Sequence, residues 1–150
     1  PPIPPRMALC GSFTDGVDLA AAEELLNHLR RSRAPFSVAQ FRVLGGAVGR
    51  VPAEATAFAH RDRAMVAVAG AACAEAADLA EHQAWANSLG EVLHSGAPGA
   101  YVGFLGDEGQ ARVREAYPPP TWERLSRVKA QYDPTNLFRL NQNVPPSTSA

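Results

Sequence analysis

The chain has 150 residues, 46% of them hydrophobic, enough apolar material for one ordinary folded domain. A formal net charge of −1 argues against a nucleic-acid partner, which calls for a basic excess. No apolar stretch is long enough to cross a bilayer, so no membrane partner is expected.

The chain opens Pro1-Pro2-Ile3-Pro4-Pro5, without the charged-then-apolar order of a signal peptide. Residues 1–5 read as an extended linker, and a cytoplasmic chain is the expectation. Arg6 to Phe13 (RMALCGSF) is a short apolar run closed by Thr14-Asp15-Gly16, the pattern of a strand ending in a turn. A helix follows from about Asp18 to Ser32. Leu19, Ala22, Leu25, Leu26 and Leu29 share one stripe, with acids early and arginines late, as the helix dipole prefers. Pro35 prevents its continuation.

Val38 to Leu44 alternates as a second strand, stopped by Gly45-Gly46. Ala64 to Ala72 is apolar throughout, as a strand buried on both faces requires. A long helix is predicted from Glu75 to His94, closed by Gly96 and Pro98. Ala100 to Leu105 (AYVGFL) reads as a fourth strand. Two further helices are predicted near Glu108–Tyr117 and Thr121–Gln131, the second with Thr121 as N-cap. Cys10 and Cys73 both lie in apolar runs and are expected to be reduced core residues.

The order strand–helix–strand–strand–helix–strand is that of an α+β, ferredoxin-like split βαβ unit. That unit is an antiparallel sheet with helices on one face and its first and third strands central. Residues 6–131 form the expected module, followed by the additional helices and an irregular tail over 132–150.

Chemistry-bearing motifs are sparse. His28, His82 and His94 stand alone with no partner at ligand spacing, so no metal site is expected. No GxSxG, P-loop or GxGxxG occurs. Three segments are unusual for a plain domain. Arg42–Arg50 carries paired glycines that let the backbone approach something closely. Thr56–Asp62 packs Phe58, His60 and Arg61 beside a central strand. Tyr132–Pro146 (YDPTNLFRLNQNVPP) mixes amides with apolar residues, a composition unlike disorder. Within it Asn141, Gln142 and Asn143 offer donors and acceptors to a polar ligand or a neighbouring domain.

In this order the segments resemble the carboxy-terminal part of berberine-bridge-type FAD-linked oxidases, whose closing pattern is similar to YDPxNLFRxNQNIPP. Gly45-Gly46-Ala47 resembles that family's glycine pair, and Thr56–Arg61 resembles its TxFxHR segment. Tyr101 with Asp107 resembles its YxNxxxD region. The likeness runs over about residues 40–146 and implies a substrate-side domain whose last segment returns to a separate amino-terminal FAD-binding domain.

It further implies hydride transfer from an alcohol, sugar or related small molecule to FAD, with Tyr101 as the base. A free tyrosine titrates near 10, so such a base needs a neighbour that stabilises its phenolate. Asn141, Gln142 and Asn143 fall on the cofactor side, and Gly45, Gly46 and His60 on the substrate side. One residue departs from the pattern: Gly103 stands where the family has Asn.

The chain alone is expected to bind FAD weakly or not at all. The alternative is a stand-alone ferredoxin-like module that pairs as a homo-oligomer around a small ligand, without flavin chemistry. A noncatalytic interaction remnant is a third reading.

Overall fold

The computed structural model describes residues 6–95, 98–106 and 108–148. The proline-rich start, Gly96 and Asp107 lie outside the described residues. The elements are β1 (Arg6–Thr14), α1 (Leu19–Arg31), β2 (Ser37–Val43), β3 (Met65–Cys73), α2 (Leu79–Leu93), α3 (Gly109–Ala116) and α4 (Pro119–Tyr132). Asp18 caps α1 by accepting from the backbone N–H of Ala21 at 2.8 Å.

The sheet has three strands in the order β1-β3-β2, with both outer strands antiparallel to β3. This is a mixed helix and strand fold with a small antiparallel sheet. β3 is central as its unbroken apolar run requires, whereas β1 lies at an edge. The expected fourth strand is absent from the sheet. Residues Val102–Phe104 form a single 3-10 turn instead.

The cause is local packing. Phe104 crosses β1 at Gly11, where an added Cβ would meet the Phe104 Cβ at 3.1 Å. The segment therefore passes over the strand instead of running beside it. Two side chains and one backbone N–H satisfy carbonyls of β1 that a fourth strand would have paired. Gln83 Nε2 donates to Leu9 O at 2.8 Å, Arg112 Nη2 donates to Gly11 O at 2.9 Å, and the Ser95 N–H approaches Phe13 O at 3.5 Å.

The two sheet faces differ by residue size. Ala8, Cys10, Ala67, Ala69 and Ala71 face the helices, so α1 and α2 sit close and bury Leu25, Leu89 and Leu93. Gly90 belongs to this contact, since a Cβ there would lie 2.4 Å from the Cys10 Sγ. The opposite face carries Leu9, Phe13, Val66 and Val68, covered at one end by Phe58 and Phe104. Both cysteines are free thiols.

A second, smaller core joins Leu105, Val113, Ala116 and Trp122, linking the 3-10 segment to α3 and α4. Helix α4 begins two residues before the predicted Thr121 cap. Pro119 and Pro120 occupy its first turn, where a helix has no use for their missing N–H groups. Among the described residues no helix is long and apolar enough to cross a membrane.

Candidate functional site

The first and second unusual segments are sewn together by one side chain. Arg61 donates through Nε to Phe58 O at 3.0 Å, through Nη1 to Val48 O at 3.2 Å and through Nη2 to Thr56 Oγ1 at 2.6 Å. This fixes the glycine loop after β2 against the Thr56–His60 strip. Gly46 in that loop has φ +66, a left-handed conformation that explains glycine there. Neither Gly45 nor Gly46 has neighbours where a Cβ would stand, so the loop backbone is open to approach.

His60 is buried, and its Nε2 donates to Glu115 O at 3.0 Å, which pins α3 to the strip. Its ring lies 4.7 Å from that of Phe13. Gly99 is required beside it, because a Cβ there would stand 2.9 Å from the imidazole Cε1. Burial holds the His60 pKa below its ordinary 6.5, the accepting carbonyl of Glu115 opposing the shift only in part. These contacts are those of a packing histidine.

Tyr101 stands at the start of the 3-10 turn, about a third exposed. Its ring meets Phe58 edge-on at 5.6 Å and Phe104 at 5.2 Å. Two guanidiniums close the aromatic row from outside. Arg42 of β2 lies 4.7 Å over Phe104, and Arg61 lies 5.2 Å over Phe58. Tyr101, Phe58 and Phe104 thus form the exposed rim of the open sheet face. Phe104 and Arg42 escaped the sequence reading, because only the fold brings a β2 residue over that ring. Gly103 lies beneath the tyrosine, where a Cβ would meet the Tyr101 Cε1 at 3.0 Å. The glycine is what lets the ring fold down over its own turn.

The third segment is organised by Asp133. Its carboxylate accepts from the N–H groups of Leu137 at 2.7 Å and Phe138 at 3.0 Å, and pairs with Lys129 Nζ at 2.5 Å. The Lys129 ammonium and those two N–H groups hold the carboxyl below its ordinary range. Asn136 and Asn141 both adopt positive φ, 53° and 59°, which asparagine tolerates better than most residues. Gln142 Nε2 donates to Leu105 O at 2.8 Å and Gly106 O at 3.3 Å, so this amide ties the tail to the 3-10 segment. Val144 packs on the second core and the Ser147 N–H donates to Ser126 O at 3.0 Å.

The far end of the tail is therefore docked, while its middle is not. Leu137, Phe138 and Leu140 are 67%, 77% and 84% exposed, and Tyr132 and Val128 extend the same apolar seam.

Residues 100–145 match the family model described as "Berberine and berberine like". The chain is 32% identical over 147 residues to the uncharacterized FAD-linked oxidoreductase YgaK of Bacillus subtilis, covering 95% of this chain and 32% of that protein. It is 31% identical to the FAD-linked oxidoreductase sorD of Penicillium rubens, covering 84% of this chain and 28% of that one. Residues 100–145 are a berberine-bridge-like segment. The chain spans about a third of the length of the curated relatives it matches.

The chain also superposes on solved structures. Berberine bridge enzyme from Eschscholzia californica matches with a TM-score of 0.75 at 21% identity, over 96% of this chain and 34% of that one. Chitooligosaccharide oxidase matches with a TM-score of 0.78 at 21% identity, over 95% and 33%. At that identity the likeness is one of fold.

The chain's own residues fit one side of a flavin and not the whole of it. The exposed aromatic rim suits a flat apolar ring, while Asn141 lines a cleft with Leu105, Gly106 and Gln142, and Asn143 one with Tyr117 and Val128. The glycine loop leads into a three-residue 3-10 turn at Ala53–Ala55, with no long helix whose N-terminus could cradle a pyrophosphate.

Proposed function

We propose that the chain is the substrate-side portion of an FAD-dependent oxidoreductase acting on an alcohol, sugar or related small molecule. The observation that carries this is the seam of Leu137, Phe138 and Leu140, held outward by the Asp133 hydrogen bonds in a chain whose relatives are FAD-linked. Apolar side chains clipped in place but uncovered suit contact with a separate flavin-binding portion. When bound there, FAD supplies the two-electron acceptor.

The chain's own contributions follow from its rim. Tyr101, packed between the rings of Phe58 and Phe104 at the rim of the open sheet face, is the group assigned to take a substrate hydroxyl proton as the carbon-bound hydrogen departs. The three rings exclude water from one side of the substrate. The open backbone at Gly45 and Gly46 admits it closely, and His60 holds the strip in place from behind. Asn141 and Asn143 offer amides to the cofactor's polar border, while Gln142 positions them through its bonds to Leu105 and Gly106. The stand-alone reading would gain from a tail that closes a pocket across the sheet; the tail docks on α4 and the second core instead.

The test is Tyr101→Phe in the complete flavoprotein, with lactose and glucose as probes and flavin bleaching under nitrogen as readout. Loss of general-base assistance lowers the reduction rate by about 10²–10⁴-fold while the flavin absorbance stays intact. A variant that bleaches at the parent rate ends the assignment of Tyr101. Strong FAD binding by the 150-residue chain alone ends the two-part reading.

A further inference from the structure

A second concavity lies away from the aromatic rim, between the outer edge of β1 and the facing sides of α2 and α3. It is a cleft of about 610 Å³, a size ordinary for small-molecule sites. It fills the place beside β1 that a fourth strand leaves vacant, and it is lined largely by polar side chains.

The base of the cleft carries Ser12, only 6% exposed, whose Oγ has no hydrogen-bond partner among the described residues. A buried hydroxyl left unpartnered is uncommon and points to a ligand or water that would complete it. Cys10 lies beside it as a neutral thiol, its pKa pushed up to about 11 by burial, with Glu108 adding to the shift.

The walls are acidic. Three carboxylates, Glu91, Glu108 and Glu115, face one guanidinium, Arg112. Arg112 is already consumed: it pairs with Glu108 and Glu115 and donates to Gly11 O. Glu91 has no ion-pair partner among the described residues. Asn87 uses its Oδ1 to accept from Gln83 at 2.9 Å, and its amide N–H groups find no acceptor there. The unspent groups include the Glu91 carboxylate, the Ser12 hydroxyl, an Asn87 amide donor and the His94 imidazole. No three His, Cys, Asp or Glu side chains among the described residues converge as metal ligands, which favours an organic ammonium as the cation at Glu91.

We propose that this cleft is a binding site for a small hydroxylated amine, with the ammonium at Glu91 and hydroxyls at Ser12 and Asn87. The site is separate from Tyr101 and does not depend on the flavin reading.

Calorimetry on the chain with glucosamine as the probe, and glucose as its uncharged counterpart, tests it. Glucosamine is expected to bind saturably, and glucose roughly tenfold more weakly or worse, the difference one charge-assisted hydrogen bond makes. Glu91→Gln, an exposed change on α2, is expected to bring glucosamine down to the glucose level. Ser12→Ala removes an unpartnered hydroxyl, so it folds at least as well as the parent by thermal denaturation while weakening both ligands. Absence of saturable heat with glucosamine overturns the proposal. So does unchanged glucosamine binding in Glu91→Gln, or in a folded Ser12→Ala variant.

Discussion

The core between sheet and helices and the segment after α4 are built on opposite plans. Beneath α2, apolar groups turn inward: Leu89 and Ala69 are fully buried, and backbone pairing is completed by β3. Between Tyr132 and Leu140, polar groups turn inward onto the backbone and apolar side chains face out. The first region draws its stability from removing apolar surface from water. The second obtains its shape from a carboxylate, an ammonium and two positive-φ asparagines, with its apolar surface left over. A segment clipped by hydrogen bonds at Asp133 but incomplete in burial is shaped for contact with something else.

The sharpest way to break this contrast is to truncate each region in turn. Leu89→Ala in the core should cost about 2–5 kcal/mol in chemical denaturation, because α2 is held close by small residues and cannot easily collapse into the space. A loss well under 1 kcal/mol would mean the core is looser than its packing implies.

An intermediate effect comes from acid. The folded pKa of His60 lies below 6.5 because burial disfavours its charge, so the unfolded chain takes up the proton first. The stability tied to neutral His60 is therefore fully present above pH 6.5 and is lost as pH falls below it. His60→Gln should flatten that part of the stability profile, as measured by denaturant midpoints from pH 7.5 to 5. An unchanged slope would assign the acid sensitivity elsewhere.

The smallest change is expected at the seam. Phe138→Ser with Leu140→Ser should move stability by no more than about 0.5 kcal/mol each, since both side chains are already exposed. The same pair should abolish association with the flavin-binding portion in a pull-down from separately expressed parts. If these serines destabilise the chain as strongly as the Leu89 truncation, the two regions are not different in kind.

Periodicity located the regular elements because each carries a local signature: the leucine stripe of α1, the alternation of β2, the unbroken apolar run of β3. The missing fourth strand shows the limit of such signatures. Ala100–Leu105 is apolar and the right length for a strand, yet whether it pairs depends on Phe104 meeting Gly11 and on Gln83 and Arg112 reaching the β1 carbonyls first. Those contacts join residues more than seventy positions apart, and no window along the chain contains them. Tyr101 and His60 were legible as unusual residues, but their surroundings were not. The row from Arg42 to Arg61 is assembled from three separate stretches.

The Asp133 clip has a thermodynamic consequence. A floppy peptide that settles on a partner surrenders backbone freedom at the moment of contact, commonly about 1–2 kcal/mol per residue. Here the turn is locked beforehand by Leu137 and Phe138 N–H groups on one carboxylate and by Lys129 bridging to Phe138 O. Much of that entropic loss is incurred during folding, so a given area of docked leucine and phenylalanine yields tighter association than an unstructured strand of the same composition.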